Sequence, residues 1–208
     1  AIIPHDNKIL IYANDSRGFI YSITELADII IYSKNNKLIL ENEIVESPKT
    51  KIRSISKCFE SIDEDKEWFY DKKSWDDYLT LLISERFNRF TLTLGMQYNY
   101  PYGNEFITDV YLYLPYPFIV QPKGYKIKLT KFSKKERDKN LKIIQYISKE
   151  AQKRGLEFQL AIWTQRYDFD EVPNANFQIL NYPKGLNYAK YCRDSLSLIL
   201  KNCPNITG

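Results

Sequence analysis

Residues able to carry chemistry follow the ends of predicted strands in this 208-residue chain. Glu60, Asp63 and Asp65 come directly after a predicted strand at residues 51–59. Two carboxyl groups that flank a sugar ring can act as acid and base, which is the arrangement that cleaves glycosidic bonds. A solvated loop or a helix cap is the other interpretation of Asp63 and Asp65, so all three residues stand as candidates.

Residues suited to binding a sugar follow the next two predicted strands, at 90–94 and 158–164. They are Gln97, Tyr98, Tyr100, Trp163, Gln165 and Tyr167. Flat aromatic rings can pack on the C–H faces of a sugar, and planar amides can reach pairs of hydroxyl groups. Core packing would explain Trp163 equally well, and loop packing would explain the tyrosines.

Two basic residues of the first of these strands are further substrate-binding candidates. Arg53 and Lys57 lie within residues 51–59. A basic side chain that lines the interior of a fold needs a partner, because burying an unpaired charge is costly. That partner is either an acidic side chain or a hydroxyl or carboxylate of a bound sugar.

The composition excludes several classes of site. The chain has one histidine, and its three cysteines do not have the spacing of metal ligands. It therefore lacks the residues for a histidine metal site or a Ser-His-Asp triad, and we predict no metal and no cofactor.

Single-stranded nucleic acid binding needs basic residues between the aromatics. Residues 96–120 contain no lysine or arginine, so we predict no nucleic-acid partner. No apolar run reaches the roughly 20 residues of a membrane span.

The first 48 residues predict a small α/β domain. Residues 8–13 form an apolar strand, and the apolar spacing that follows indicates a helix through Ser33. Residues 37–45 predict a second strand, which Pro48 closes. This block is too small to bury much core alone, so it must pack against the rest of the chain.

Residues 49–208 predict a second domain in which strands alternate with helices. Ser74 and Ser133 are predicted to cap two of the helices, a third starts at Gly185, and a strand begins near residue 205. Long segments follow the strands, one of them with its own hairpin, while short ones follow the helices, as in a (β/α) barrel. The predicted fold class is α/β: a small N-terminal α/β domain followed by the first half of a (β/α)8 TIM-type barrel.

Four segments resemble a known group of enzymes. Residues 18–27 (GFIYSITELA) resemble the helix of the small domain that precedes the barrel in β-N-acetylhexosaminidase-like and α-glucuronidase-like glycoside hydrolases. Residues 53–59 are similar to their first barrel strand, and residues 86–90 (RFNRF) to the end of their first barrel helix. Residues 203–208 (CPNITG) resemble the start of strand four in the glucuronidase-like branch.

This resemblance implies the N-terminal portion of a glycoside hydrolase that acts on a polysaccharide or oligosaccharide. It also implies that the principal acid lies beyond residue 208, that the rest of the barrel comes from the same polypeptide, and that the protein is periplasmic or secreted. A non-catalytic carbohydrate-binding protein on a degenerate barrel is the alternative. Three cysteines without evident pairing favour a reducing compartment instead.

Overall fold

The computed structural model describes residues 1–60, 62–95, 100–102, 105–107, 114–163 and 179–208. The chain begins with an antiparallel hairpin of β1 (Ile2–His5) and β2 (Lys8–Ile11), followed by helix α1 (Ser16–Tyr32). Asp15 caps α1, accepting a hydrogen bond from the Gly18 amide at 2.7 Å. The predicted helix is therefore confirmed, while strand β1 is an addition to the predicted elements.

The predicted strand at residues 37–45 is wrong. Within it Ile44 forms an isolated antiparallel bridge with Ile2, and the remaining residues are not in a strand. Leu38, Ile39 and Val45 are exposed. An apolar alternation indicates a strand only where a partner strand and a buried face are present, and here neither extends along the segment.

The larger part of the chain alternates between strands and helices. Its elements are β3 (Ser54–Cys58), α2 (Ile62–Tyr70), α3 (Lys72–Ser84), β4 (Arg89–Leu94), β5 (Tyr100–Tyr102), β6 (Glu105–Ile107), α4 (Tyr116–Ile119), β7 (Lys128–Leu129), α5 (Lys134–Lys153), β8 (Glu157–Ile162), β9 (Ile179–Leu180) and α6 (Leu186–Asn202). β5 pairs antiparallel with β6, which is the hairpin expected in the long segment after β4. β7 and β9 form a second short antiparallel pair.

The central sheet is parallel, as predicted. Its order is β3-β4-β8, with Ile55, Phe90 and Phe158 in register across the three strands. Ile206 forms a parallel bridge with Phe158, where the next strand was expected to start. Neighbouring strands in space thus follow one another through helical crossovers, which is the connection typical of α/β folds.

The buried core lies on one face of this sheet. Phe90, Leu92 and Phe158 are completely buried, and the Phe90 ring contacts Trp75 and Tyr78 of α3 at centroid distances of 5.9 and 5.6 Å. Apolar residues of α3, α5 and α6 belong to the same core. Because alternate residues of a strand point to opposite faces, the other face carries Ser54, Ser56, Cys58, Thr91 and Gln159, which are partly or fully exposed.

Two helix starts differ from the predicted ones. α3 is capped by Asp71, whose carboxylate accepts from the Lys73 and Ser74 amides, and not by Ser74, which donates its hydroxyl to Asp71 instead. The predicted acidic loop at 60–65 is replaced from Ile62 onward by α2. At α5 the predicted Ser133 cap is confirmed as a full capping box with Glu136.

The observed architecture is α/β with a parallel sheet. The described residues form no closed barrel, and the short connections before β4 and β8 are as predicted. α1 packs against α3, so the first block rests on the larger region. Across the residues described, no helix has the length and apolar character to cross a bilayer.

Candidate functional site

The carboxyl ends of the three parallel strands meet at one edge of the sheet. Phe59 donates its amide to the Thr93 carbonyl at 3.0 Å, and Trp163 donates its amide to the Leu94 carbonyl at 2.9 Å. These bonds place Glu60 and Trp163 at this edge. The Trp163 side chain is 40% exposed, so it is not a core residue and offers an aromatic surface to solvent.

Gly95 sets the backbone at the centre of this edge. It has a φ of +75°, and a Cβ added there would lie 3.0 Å from the Trp163 carbonyl oxygen and 3.4 Å from the Pro115 Cα. Both the left-handed conformation and the close approach favour glycine. The chain after β4 and the chain after β8 are thereby held against each other.

The candidate carboxylates differ in what they contact. Asp65 accepts hydrogen bonds from the Glu60 amide at 2.6 Å and from the Trp68 indole N–H at 2.8 Å, a structural role at the start of α2. Glu60 is exposed at the carboxyl edge. Asp63 belongs to α2, but its side chain is outside the described part of the chain. Glu60 is therefore the described carboxylate best placed for chemistry at this edge.

Lys57 points to the helix-covered face of the sheet. Its ammonium nitrogen lies 4.2 Å from the Trp68 ring centroid and 5.3 Å from that of Tyr78. Such cation–π contacts hold a charge in place without an acidic partner. Burial raises the pKa of Tyr78 further above neutral pH. Lys57 thus lies on the face opposite the polar one, and its role in substrate binding stays a prediction.

Arg53 lies at the opposite, amino end of the sheet. Its guanidinium donates to the carbonyls of Arg86 and Thr50 and to the Tyr21 hydroxyl, at 2.6, 2.8 and 3.3 Å. Tyr21 in turn donates to the Phe87 carbonyl at 2.9 Å. The structure therefore separates Arg53 from Trp163, although the sequence grouped them as one set of substrate-binding candidates.

Asn88 and Arg86 are amino-end residues that are not among the site residues predicted from the sequence. The buried Asn88 side chain accepts from the Arg53 amide at 2.8 Å and donates to the Lys51 carbonyl at 2.7 Å. Arg86 pairs with Glu46 at 3.0 Å and with Glu25 of α1. Burial works to lower the pKa of Arg86, but the hydrogen bonds and charges of Glu46 and Glu25 raise it overall. The short RFN connection before β4, residues 86–88, is the sequence feature that could have indicated both residues.

Four predicted sugar-binding residues, Gln97, Tyr98, Gln165 and Tyr167, lie outside the described residues. Tyr100 starts β5, but its side chain is also outside the described part. These four residues and Tyr100 therefore remain predictions. The structure adds hydroxyl and amide groups on the polar sheet face, where Thr91 hydrogen-bonds Gln159 at 3.1 Å. The alternation of polar and apolar residues in β4 and β8 is the sequence pattern that could have indicated this polar face.

Metal and thiol chemistry have little support in the described part of the chain. No group of three or more His, Cys, Asp or Glu side chains is arranged there to hold a metal ion. Cys58, Cys192 and Cys203 are free thiols. Burial raises the pKa of Cys192 and raises that of Cys203 to about 11, so neither is a thiolate near neutral pH.

The chain shares its fold with part of a much longer enzyme. The solved structure of a GH138 enzyme targeting pectin rhamnogalacturonan II matches 99% of this chain with a TM-score of 0.68 and 19% sequence identity. The match covers 24% of the enzyme, so this chain spans about a quarter of its length. No protein-family model and no curated protein matches the sequence. The likeness shows a glycoside-hydrolase-like fold and does not extend to the hexosaminidase or glucuronidase type.

Proposed function

We propose that this chain is the N-terminal portion of a glycoside hydrolase that acts on a polysaccharide or oligosaccharide. The small block at 1–48 would support the first part of a (β/α)8 barrel at 49–208. The saccharide would bind at the carboxyl ends of β3, β4 and β8, and the remaining barrel would come from the same polypeptide.

The half-exposed Trp163 beside the end of β4 is the observation that carries the proposal. This residue lies at the carboxyl edge of the parallel sheet, where α/β folds build binding sites, and the exposed Glu60 lies at the same edge. An aromatic ring packs on the apolar face of a sugar, and the hydroxyl and amide groups of the neighbouring sheet face can bond its hydroxyls. The fold shared with a GH138 enzyme supports this assignment.

The chemistry we propose needs a second carboxyl group beside Glu60. Glycosidic cleavage uses a protonated carboxylic acid on the leaving oxygen and a carboxylate on the other side of the sugar. Asp65 is engaged by the Glu60 amide and the Trp68 indole, which leaves it poorly suited to the acid role. We propose that the principal acid comes from the segment after strand four, as the family resemblance implies.

A non-catalytic carbohydrate-binding protein is the second candidate function. The same engagement of Asp65 favours it, because one fewer carboxylate is then available for catalysis. Both candidates use the aromatic surface of Trp163, and they differ only in whether a bond is broken.

Titration of the chain with plant cell-wall oligosaccharides, followed by tryptophan fluorescence, tests the proposal. Trp75 is buried and Trp68 is partly buried, so we expect the ligand to change chiefly the emission of the more exposed Trp163. We expect saturable binding, and Trp163→Ala should weaken it about tenfold, which corresponds to about 1.4 kcal/mol. Because this variant also removes the reporting ring, its affinity is measured by calorimetry.

Tyr32→Ala is the matched control, because Tyr32 is 84% exposed at the far end of α1. We expect it to bind like the unaltered chain. Failure of every oligosaccharide to bind, or equal affinity of the Trp163→Ala variant, would contradict the proposal. With aryl glycosides we expect no turnover by these 208 residues, and hydrolysis at enzymatic rates would show that the acid lies within them.

A further inference from the structure

A cleft of about 700 Å³ separates the first block from the amino end of the sheet. The hairpin, the start of α1 and the residues around 44–53 line it, together with Arg86 and Asn88. Its volume is in the range of small-molecule sites, about 300–1,000 Å³. It lies at the opposite end of the sheet from Trp163, so it is separate from the proposed saccharide site.

The acidic residues of this cleft already have hydrogen-bond or ion-pair partners. Asp15 caps α1, and Glu25 and Glu46 both pair with Arg86. Arg17, another lining residue, reaches Glu157 at 3.7 Å. Four basic side chains, of Arg17, Lys51, Arg53 and Arg86, line the cleft beside these three acidic ones, so the lining carries a formal net charge of +1.

Two cations remain without an acidic partner among the residues described. Lys51 is exposed at the cleft, and Arg53 donates to two carbonyls and to the Tyr21 hydroxyl. A guanidinium has about five N–H donors, so these bonds leave further donors open. A partly buried guanidinium with open donors and no counter-charge is suited to a carboxylate or phosphate.

The wall of the cleft adds an aromatic face. Tyr12 lines it and is 60% exposed, and the polar side chains of Asn14 and Ser47 lie in the same lining. A flat ring beside hydrogen-bonding groups suits a ligand that is itself a ring with hydroxyl groups. We propose that this cleft binds a sugar carrying a carboxylate, with the acid group at Arg53 and Lys51 and the ring on Tyr12.

Calorimetric titration with glucuronate, glucose and inorganic phosphate at low ionic strength tests this site. Glucuronate and glucose differ only in the carboxylate, while phosphate supplies an anion without a sugar ring. We expect glucuronate to bind at least about tenfold more tightly than the other two, a difference of about 1.4 kcal/mol. Raising the ionic strength should weaken its binding, because exposed charges are screened.

Substitutions at exposed positions locate the binding without disturbing the fold. We expect Tyr12→Ala and Lys51→Gln each to weaken glucuronate binding about threefold to tenfold, as for single exposed aromatic or charge contacts. Tyr32→Ala and Lys49→Gln are the matched controls, since both residues are exposed and neither lines the cleft. Circular dichroism confirms that each variant is folded.

The outcomes separate the proposal from its competitors. Equal binding of glucose and glucuronate would overturn the role of the cations, and equal binding of phosphate would overturn the sugar as ligand. Glucuronate binding that is unchanged in Tyr12→Ala and Lys51→Gln, or absent altogether, would overturn the site. Trp163→Ala should leave glucuronate affinity unchanged, so failure here is distinguishable from failure of the proposed function.

Discussion

At the amino end of the central sheet, side chains join the starts of the strands. Asn88 bridges to the segment before β3, and Arg89 of β4 binds Glu157 of β8 through two N–H groups at 2.7 and 3.0 Å. At the carboxyl end, the bonds of Phe59 and Trp163 to the neighbouring strand are made by backbone atoms. At the amino end, side-chain bonds between the strands thus add to backbone bonds such as that from the Glu157 amide to the Asn88 carbonyl, while the described bonds that link neighbouring strands at the carboxyl end are made by the backbone.

The largest effect on stability is expected from Asn88→Ala. The substitution leaves the Arg53 amide and the Lys51 carbonyl without their side-chain partner in a partly buried position. We expect a loss of about 3 kcal/mol in the free energy of unfolding, measured by urea denaturation. Asn35→Ala in an exposed turn is the control. A loss no larger than in the control would remove the contrast between the two ends.

Gly95→Ala tests whether the backbone of the carboxyl end is equally constrained. A Cβ there meets the Trp163 carbonyl at 3.0 Å in a left-handed conformation. We expect a loss of about 2 kcal/mol in unfolding free energy. Gly124 also has a left-handed backbone, with a φ of +89°, but it has open space around it. We therefore expect Gly124→Ala to lower the free energy of unfolding by about 1 kcal/mol. Equal losses would mean that the close approach contributes nothing.

Tyr21→Phe removes one hydroxyl from the contact between α1 and the amino end of the central sheet. The Tyr21 hydroxyl accepts from Arg53 and donates to the Phe87 carbonyl. We expect a loss of about 1 kcal/mol by urea denaturation, as is typical when an intramolecular hydrogen bond is removed. Tyr32→Phe, at an exposed tyrosine, should change nothing measurable. If both variants have the same free energy of unfolding, this hydroxyl does not stabilise the contact between α1 and the sheet.

The last and smallest effect concerns the pH dependence of stability and comes from Cys203, just before the strand start at Ile206. Burial raises the pKa of its thiol to about 11, so the folded protein holds this proton more strongly than the unfolded chain. Its stabilising contribution is complete below about pH 8.5 and is lost as the pH rises towards 11. Urea midpoints from about pH 8 to about pH 10.5 should fall less steeply in Cys203→Ala. If the midpoints fall equally steeply with pH in both proteins, groups other than Cys203 cause the loss of stability at alkaline pH.

Local signals predicted the parallel strands and four of the six described helices, α1, α3, α5 and α6, but not α2 or α4. The α1 pattern rests on apolar periodicity and the α5 pattern adds the Ser133 cap, and the tertiary structure agrees with both. The strand at 37–45 failed because its pattern carries no information about a partner. The cap of α3 was misplaced because Asp71 and Ser74 are both capping residues, and Asp71 has two oxygens to accept from successive amides.

The sequence indicates the position of the candidate site at the strand ends better than it indicates which residues lie there. Trp163 could be placed at a strand end because that depends on chain order alone. The direction of Lys57 could not, because a lysine stem can pack on aromatic rings inside a helix-covered face. Arg53 immediately precedes β3, and this small offset places it at the amino end, beside α1.

The polar face of the central sheet also bears on how the chain folds during synthesis. Ser54 and Ser56 are exposed on this face, and Thr91 and Gln159 satisfy each other. Hydroxyl and amide groups can stay hydrated at little cost, unlike an apolar surface, which drives aggregation. A ribosome can therefore release these strands with this face in contact with water, without the aggregation tendency that an uncovered apolar face would bring.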